Sequence, residues 1–418
     1  MQTAKEFEMQ INQAESDKEV RLNGKVYWEV KTGNTFTIGR NCMKGVISIS
    51  RSGVVIDGSN AEIEAEIEDS TGSDWGLFFI QPSARNVTLK NFTLRIRLHN
   101  PEHSTRIFSA IYNTAFGLKI ENCSIEIYSD KQINLSGIYN NGNLDTHMET
   151  RADNLVISNS FVKVECLAEE YPKESTVYGF YNNLANSVSM QNTYIYAINR
   201  GDGNRQKAVG VYTNGRFGRF VGNNIKANGT HNIGKQKEQA HVFGFINEGL
   251  YSIITSNNIV GEWAGKCVGL ETNGEYTKVA SNKILSTHTI CGRSIISNGN
   301  NTSIEGNIIT STSRNARLIQ HNAESCIITG NLMEVLMAKE ECRSGCGIYA
   351  VGDRTRGNLI KENIVRNVRN CGIFISSDAG LVKDNVVWSY EDTIKEAESE
   401  NRRLAEKLDE RNIKSIYE

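Results

Sequence analysis

The pattern of apolar and polar positions repeats one short phrase along the chain. The phrase is an apolar residue, two variable residues, an Asn, one more residue and another apolar residue. From Asn257 to Asn331 the copies are 25, 25 and 24 residues apart. A fixed period of this size predicts a solenoid, in which each repeat buries its apolar face only by stacking on its neighbours. The copies centre on Asn91, Asn122, Asn159, Asn192, Asn223, Asn257, Asn282, Asn307, Asn331, Asn363 and Asn385.

A second phrase lies between the Asn copies, with a small residue, two mostly apolar residues, a variable position and an Asn at or near its end. Apolar residues alternate with a period near two, which predicts strands, not helices. Each coil is therefore predicted to hold three short strands, with successive coils stacked in parallel about 4.8 Å apart. The copies begin at Ala110, Gly137, Gly179, Gly210, Gly244, Gly269, Ser294, Leu318, Gly347 and Gly372.

The repeated Asn is interpreted as a structural residue at the sharp turn between two strands. Asn tolerates the left-handed backbone conformation better than other non-Gly residues. Stacked copies are also expected to hydrogen-bond from side chain to main chain along the ladder.

With its stacked Asn turn and three-strand coil, the chain resembles the right-handed parallel β-helix superfamily, of which pectate lyases are the best known members. The resemblance covers roughly residues 45 to 390. It implies an all-β fold, a single-stranded right-handed parallel β-helix solenoid with about ten or eleven coils. These features indicate the fold and are nearly silent about activity.

Caps are expected at both ends, because an open solenoid end is an exposed sheet edge. The predicted domains are an N-terminal cap over residues 1–44, the parallel β-helix over 45–390 and a C-terminal helical segment over 391–418. The N-terminal helix is predicted over Thr3–Ala14, with Phe7, Met9 and Ile11 partly on one side. A charged helix over Asp392–Asn412 is predicted to be a C-terminal cap or a short oligomerising coil.

The second phrase also predicts where a site lies. The residue after its small residue is always apolar and should face the core, so the next residue should face outward. Long insertions over 99–104, 165–175, 199–207, 227–240 and 337–345 would form a wall beside this outward column and make a groove. The groove of polysaccharide-active members of the superfamily resembles this arrangement, in which sugar rings stack on aromatic side chains. The outward column reads Tyr112, Tyr139, Tyr181, Tyr212, Ile246, Glu271, Ile296, Gln320, Tyr349 and Phe374.

Candidate site residues follow from this column. Glu271 is its one carboxylate, and its apolar flanks would raise its pKa and suit it to acid or base work. The other catalytic candidates are Lys266, His241 and Arg293, with Arg317 and His321 nearby. The alternatives are a solvated carboxylate and an aromatic stack that only covers the sheet. The predicted substrate-binding residues are Tyr139, Tyr181, Tyr212, Gln320, Tyr349 and Phe374.

Charged residues in two wall loops could attract an anionic glycan. These cations are Arg200, Arg205, Lys207, Lys235 and Lys237. Asp202 and Glu238 share the same loops, so solvated loop charge is the favoured interpretation.

Composition narrows the functional classes. The chain has 46 basic and 48 acidic residues, a formal net charge of −2, and nothing global indicates nucleic acid or a membrane surface. No apolar run approaches the roughly 18 residues of a membrane span. Nine Cys, mostly inside strand phrases, are expected to be small buried hydrophobes. With no secretory signal at the start, a cytoplasmic location is favoured, or an extracellular one if a signal peptide was removed.

The catalytic motifs of polygalacturonases and of Arg-x-Pro-x-x-Arg pectate lyases are missing. No carboxylate run suits calcium, and Cys342 and Cys346 lack a second ligand pair for zinc, so neither metal nor cofactor is expected. The predicted function is a carbohydrate-active protein that binds a polysaccharide or oligosaccharide, with cleavage by a lyase or glycoside hydrolase left open. The alternative is a non-catalytic glycan-binding or structural β-helix of the surface or phage fibre type. Homo-oligomerisation is left open.

Overall fold

The computed structural model describes most of the 418 residues. The described ranges are 2–16, 18–22, 24–30, 34–38, 41–67, 74–98, 107–142, 152–167, 175–201, 206–229, 241–338, 341–352, 354–376, 380–396 and 413–416. The chain forms two compact units. Unit 1 comprises Met1–Arg219 and Asn223–Thr230, and unit 2 comprises Phe220–Gly222 and His231–Glu418.

Most of the first nineteen strands are short, and β5 and β7 are the longest of them. They are β1 (Glu19–Arg21), β2 (Lys25–Val30), β3 (Asn34–Ile38), β4 (Asn41–Ile49), β5 (Val55–Ile67), β6 (Asp74–Ile80), β7 (Thr88–Leu98), β8 (Ile107–Asn113), β9 (Lys119–Glu121), β10 (Ser124–Ser129), β11 (Asn134–Asn141), β12 (Val156–Ser158), β13 (Phe161–Cys166), β14 (Thr176–Asn183), β15 (Ser189–Gln191), β16 (Tyr194–Asn199), β17 (Lys207–Thr213), β18 (Arg219–Val221) and β19 (Asn224–Asn228).

The remaining strands belong to unit 2. They are β20 (His241–Asn247), β21 (Ile253–Thr255), β22 (Asn258–Thr272), β23 (Lys278–Ala280), β24 (Lys283–Ser297), β25 (Ser303–Glu305), β26 (Ile308–Ser311), β27 (Asn315–His321), β28 (Ile327–Thr329), β29 (Leu332–Val335), β30 (Ser344–Ala350), β31 (Asn358–Lys361), β32 (Ile364–Val368), β33 (Cys371–Ile375), β34 (Gly380–Lys383), β35 (Val386–Ser389), β36 (Asp392–Glu396) and β37 (Ile413–Ile416).

Both units are right-handed parallel β-helices, which confirms the predicted fold. The strand that carries the second phrase pairs in parallel with its counterpart in the next coil. This pairing runs through β4, β6, β8, β11, β14 and β17 in unit 1, and through β20, β22, β24, β27, β30, β33 and β36 in unit 2. The pairing adds coils at both ends to the ten or eleven that the sequence predicts. These coils contain β4, β6 and β36, whose copies of the phrase are too irregular to be recognised from the sequence.

A steric constraint explains why the second phrase begins with a small residue. A Cβ built on Gly179 would lie 2.2 Å from Cγ2 of Ile195, and one on Gly347 would lie 2.4 Å from Cγ1 of Val365. Such distances are far below van der Waals contact, so these positions accept little more than hydrogen. The apolar residue that follows is buried in every described copy, as predicted.

The N-terminal helix is present as α1 (Ala4–Gln13). Thr3 caps it: its Oγ1 accepts from the Glu6 N–H, and the Glu6 carboxylate accepts from the Thr3 N–H. Phe7 and Ile11 are fully buried, whereas Met9 is 45% exposed and does not share their face. Asn12 ties the helix to β4 by donating to the Ser48 carbonyl at 2.7 Å.

The repeated Asn forms a buried ladder in unit 2. The side-chain amide of Asn282 donates to Oδ1 of Asn307 at 3.0 Å, and that of Asn307 donates to Oδ1 of Asn331 at 2.9 Å. The same oxygens also accept from the main-chain N–H of the preceding Asn at 2.9 and 3.0 Å. Side-chain to main-chain bonding along the ladder is therefore confirmed.

The predicted backbone role of this Asn is wrong in unit 2. The left-handed conformation belongs to the residue before the ladder Asn, for example Ser281 before Asn282 (φ 55°). The earlier, looser copies are shifted by one residue. There Asn91, Asn122, Asn159 and Asn192 take the left-handed turn themselves, with φ of 60°, 53°, 48° and 50°. The residues after the last three of these turns, Cys123, Ser160 and Thr193, fill the buried position.

The predicted C-terminal helix over Asp392–Asn412 is wrong where the structure describes it. Asp392–Glu396 forms β36, whose Ile394 lies in register with Ile373 of β33. Pairing with the preceding coil overrides local helix propensity at this point. Residues 397–412 lie outside the described residues, and the predicted domain boundaries remain a prediction.

The wall insertions lie largely outside the described residues, which leave out 99–106, 168–174, 202–205, 230–240 and 339–340. The predicted groove along the whole column therefore stays a prediction.

Candidate functional site

The outward column has the predicted register within each unit. In unit 1, Phe79, Tyr112, Tyr139, Tyr181 and Tyr212 are successive partners on neighbouring strands. In unit 2, Glu271 pairs with Ile246 on one side and Ile296 on the other. Ile296 pairs in turn with Gln320, and the column continues through Tyr349 and Phe374.

The first tyrosines of this column are packed, not open. Tyr112 is 1% exposed and Tyr139 6% exposed, and both belong to a core cluster with Phe79. Burial raises the pKa of Tyr139 far above its usual value, since the phenolate would lose its hydration. These two rings therefore stabilise the sheet, and a ligand would reach Tyr139 only after rearrangement.

The later tyrosines are half-buried and stack on one another. The rings of Tyr139 and Tyr181 are 4.8 Å apart at 25°, and those of Tyr178 and Tyr181 are 4.6 Å apart at 20°. Tyr212 continues the row at 5.0 Å from Tyr181. The row ends in partly exposed aromatic faces, which suit stacking on a sugar ring.

In unit 2, two arginines converge on one amide. Nε of Arg293 donates to Oε1 of Gln320 at 3.0 Å, and Nη1 of Arg317 donates to the same oxygen at 3.1 Å. Arg293 also donates to the carbonyls of Gly292 and Asn315, at 3.0 and 3.3 Å. The two arginines pair in register on β24 and β27, which explains why residues 24 positions apart meet.

This pair carries unbalanced positive charge. Within the described part of the chain, neither Arg293 nor Arg317 forms an ion pair with a carboxylate. Burial, and then the charge of Arg317, hold the pKa of Arg293 below its usual value. Like charges roughly 5 Å apart repel by about 3 kcal/mol at an effective dielectric constant of about 20. An anion bound between the two guanidinium groups would remove that repulsion.

Aromatic rings border the arginine pair. The guanidinium carbon of Arg317 lies 3.8 Å from the ring centre of Tyr349, a cation–π contact that holds the side chain in place. Tyr349 and Phe374 pack edge to face with their ring centres 5.3 Å apart. We call Arg293, Arg317, Gln320, Tyr349 and Phe374 the arginine site.

The remaining catalytic candidates are not part of this cluster. Glu271 is half-buried, and its Oε1 accepts from Nδ2 of Asn273 at 3.2 Å. Among the described residues, no hydrogen bond or ion pair joins Glu271 to Lys266, His241 or Arg293. Lys266, in the middle of β22, is the register partner of His241, the first residue of β20. They lie five residues before Glu271 and Ile246 respectively. The coordinates therefore bring Arg293, Gln320, Tyr349 and Phe374 together and leave Glu271, Lys266 and His241 apart from them.

One wall-loop cation is already neutralised. Arg200 donates to the buried carboxylate of Glu165 at 2.9 Å, and Lys163 lies 2.8 Å from the other oxygen. Burial alone would raise the pKa of Glu165, but these two cations outweigh it and lower the pKa. Lys207 is exposed on β17, and the other three loop cations lie outside the described residues.

No group of three or more His, Cys, Asp or Glu side chains within the described ranges could hold a metal ion. Cys123, Cys267, Cys326 and Cys371 are buried, as expected, while Cys291 is half-buried. Among the helices that the structure describes, none is long and apolar enough to cross a membrane.

The contacts of Tyr178 and Arg317 were only weakly signalled by the sequence pattern. Tyr178 and Tyr181 are three residues apart on β14, so strict alternation along the strand would place their rings on opposite faces. The repeat period predicts that Arg317 is a neighbour of Arg293. The stacking of Arg317 on Tyr349 depends on side-chain conformations that the repeat does not specify.

Comparison with known proteins gives neither a family nor a curated relative, since no protein-family model and no curated protein matches the chain. Solved structures do match. The tailspike protein gp208 of Dettilon matches at 14% identity and a TM-score of 0.45, over 85% of this chain and 61% of its own. The A-module of the Azotobacter vinelandii mannuronan C-5 epimerase AlgE6 matches at 13% and 0.44, over 95% and 100%. A PL6 alginate lyase in complex with a trisaccharide matches at 10% and 0.44, over 94% and 76%. At these values the fold rests on the strand pairing of this chain, not on the matches.

Proposed function

We propose that this protein binds an acidic polysaccharide or oligosaccharide, with one acidic sugar held at the arginine site of unit 2. The observation that carries the proposal is the convergence of Arg293 and Arg317 on Gln320, while no carboxylate among the described residues forms an ion pair with either arginine. A sugar carboxylate or sulfate supplies that charge, and guanidinium groups bind such planar or multi-oxygen anions through paired hydrogen bonds.

The surroundings favour a sugar over a simple inorganic anion. Tyr349 places aromatic surface beside Arg317, and Phe374 extends this surface by packing against Tyr349. A sugar ring has apolar C–H faces that stack on such surface, while its hydroxyl groups pair with polar atoms such as those of Gln320. The half-buried Tyr181 and Tyr212 offer similar aromatic surface on the equivalent strands of unit 1.

The test is a binding measurement on the whole chain with a uronate polymer, a sulfated polymer and a neutral polymer. Arg317→Gln should weaken binding of the preferred acidic polymer about 10- to 100-fold, since one charge-assisted contact is lost. Arg317→Lys keeps the charge but loses the paired N–H donors of the guanidinium group. Its affinity is expected to lie between those of the unaltered protein and Arg317→Gln.

The matched control is Arg314→Gln. Arg314 is exposed, lies three residues before Arg317 and has no ion pair within the described ranges, so its loss changes the net charge equally. Its affinity should change less than about twofold, as for an exposed charge. Undiminished binding of every acidic polymer by correctly folded Arg293→Gln and Arg317→Gln variants would refute the proposal.

Cleavage by β-elimination is a second candidate function, favoured by the two guanidinium groups that converge on Gln320, because they would neutralise the carboxylate of a bound uronate. In this reaction a base removes the C5 proton of a uronate and the C4–O bond breaks. A C4–C5 double bond forms, and the departing oxygen takes up a proton. Arg293 and Arg317 would neutralise the carboxylate as protonated guanidinium groups, which acidifies the C5 proton; hydroxide from solvent would take that proton as water, and water would return one to the departing oxygen. The test is the ultraviolet absorbance of the unsaturated product, which should be absent with Arg293→Gln.

Hydrolysis is less well supported. An inverting glycosidase needs a second carboxylate about 6.5–9.5 Å from the first. Two strands along the column from Glu271, that position is occupied by Gln320. Catalysis by Glu271 therefore stays a prediction, to be tested by substitution.

A further inference from the structure

The left-handed Asn turns of unit 1 line a second surface, which lies on a different column of strands from the outward tyrosines. A cavity of about 460 Å³ opens there. Its eleven lining residues come from four successive turns. They are Asn91, Phe92, Thr93, Asn122, Cys123, Ser124, Asn159, Ser160, Phe161, Asn192 and Tyr194.

The backbone explains how this surface arises. Each turn begins with an Asn in the left-handed conformation, and the next residue points inward. The third residue then faces out again, and these third residues lie in register along the stack. Ser124 pairs with Thr93 and with Phe161, and Phe161 pairs with Tyr194. A column of Asn side chains therefore runs beside a column of outward residues, with steps of about 4.8 Å.

Two aromatic rings stand open on this surface. Phe161 is 36% exposed and Tyr194 is 57% exposed. They occupy adjacent strands, β13 and β16, so their exposed faces follow one another along the groove. Neighbouring exposed aromatic residues inside a concave surface indicate a ligand site better than scattered ones do.

At one end of the groove the Asn side-chain amides form hydrogen bonds; at the other end they form none with the described residues. Nδ2 of Asn91 donates to Asp57 at 2.9 Å, and Nδ2 of Asn122 lies 3.4 Å from Oδ1 of Asn91. Within the described part of the chain, the side chains of Asn159 and Asn192 make no hydrogen bond. Each therefore offers two N–H donors and one carbonyl acceptor beside an exposed ring.

The lining carries no charged residue. Open aromatic faces and free amides, with no charge between them, match the C–H faces and hydroxyl groups of a neutral sugar. We propose that this groove binds a neutral oligosaccharide, with sugar rings stacked on Phe161 and Tyr194 and hydroxyl groups bonded to Asn159 and Asn192. This inference is independent of the arginine site and of the acidic glycan assigned to it.

The experiment measures the affinity of the whole chain for three neutral polymers, a soluble β-glucan, a galactomannan and a dextran. Tyr194→Ala should weaken binding of the preferred polymer about 5- to 10-fold. Asn192→Gly keeps the left-handed turn without its amide and should weaken binding about 2- to 10-fold. Tyr194→Phe keeps the ring and should bind within about twofold of the unaltered protein.

The control variants separate this site from others. Tyr276→Ala removes a tyrosine of similar exposure, 49%, in unit 2 and should leave neutral-polymer binding unchanged. Arg317→Gln should also leave it unchanged while weakening acidic-polymer binding, so failure of one proposal is distinguishable from failure of the other. Melting temperatures identify any variant that fails to fold. If Tyr194→Ala does not fold, the loss of affinity in Asn192→Gly decides.

Three results would overturn the inference. The first is that none of the neutral polymers binds. The second is binding that Tyr194→Ala and Asn192→Gly leave unchanged. The third is a self-associated form, detected by analytical ultracentrifugation, that Tyr194→Ala converts to monomer, because the groove would then be occupied by a second copy of the chain.

Discussion

Replacing Asn282 by Ala tests how much one rung of the buried ladder contributes to stability. Nδ2 of Asn282 donates to the Ile254 carbonyl at 2.8 Å and to Oδ1 of Asn307 at 3.0 Å. Its Oδ1 accepts from the main-chain N–H of Asn257 at 2.9 Å and from the side-chain amide of Asn257 at 3.0 Å. The substitution therefore removes four hydrogen bonds from a side chain that is almost fully buried.

The hydrogen-bond partners of Asn282 differ in how many other hydrogen bonds they keep after the substitution. The Asn257 amide keeps its bond to the Phe220 carbonyl at 2.9 Å, and Oδ1 of Asn307 keeps the Asn282 N–H. The Asn257 main-chain N–H loses its acceptor, and an orphaned buried group costs about 1–3 kcal/mol. Adding about 1 kcal/mol for each of two or three other net bonds gives a loss of about 3–6 kcal/mol.

The assay is urea unfolding followed by circular dichroism, with the midpoint and the m-value compared between variants. Asn298→Ala is the matched control. Asn298 lies in an exposed ladder, donating to Asn273 at 2.7 Å and accepting from Asn322 at 2.8 Å. Water replaces those bonds, so the control should lose about 0.5 kcal/mol or less. A loss below about 1 kcal/mol for Asn282→Ala at unchanged m-value would refute the reasoning.

Four further outcomes are expected. Glu271→Gln should abolish turnover of any glycan that the protein cleaves, with little change in melting temperature, and retained turnover would remove Glu271 as catalyst. Tyr181→Ala and Tyr212→Ala should each weaken binding on a glycan array, and normal binding by both would make the column a packing feature. Burial lowers the pKa of His321. The unfolded state therefore binds the proton more readily. The contribution of His321 to the free energy of unfolding should be constant above about pH 7 and fall as pH drops below about 6.5, and His321→Gln should remove that part of the fall in urea titrations. Burial raises the pKa of Cys326 to about 11, so its alkylation at pH 8, followed by peptide mass spectrometry, should be much slower in the native than in the urea-unfolded protein.

Much of the fold could be predicted because it depends on local periodicity. The step of about 25 residues between Asn257, Asn282 and Asn307 places them in contact, and they do hydrogen-bond. The period-two alternation similarly separates the core column from the outward column. The Thr3 capping box is readable from residue type and spacing alone.

Other features were beyond the sequence pattern. The phrase around Asn192 and the phrase around Asn282 look alike, yet one Asn is an exposed turn residue and the other is buried. A shift of one residue changes the face to which a side chain points, and only packing against the neighbouring coil selects between the two frames. Pairing with the preceding coil also makes Asp392–Glu396 a strand, although its sequence favours a helix.

The sequence by itself determined that coils stack and which residues share a column, because both follow from a repeat length and an alternation of apolar side chains. The tertiary structure decided what each column does. It buried Tyr139 among other rings, turned Arg293 and Arg317 toward one amide oxygen, and left the amides of Asn159 and Asn192 open beside two aromatic rings. Burial, charge balance and unsatisfied hydrogen bonds are properties of side chains brought together from separate coils, so a linear pattern does not contain them.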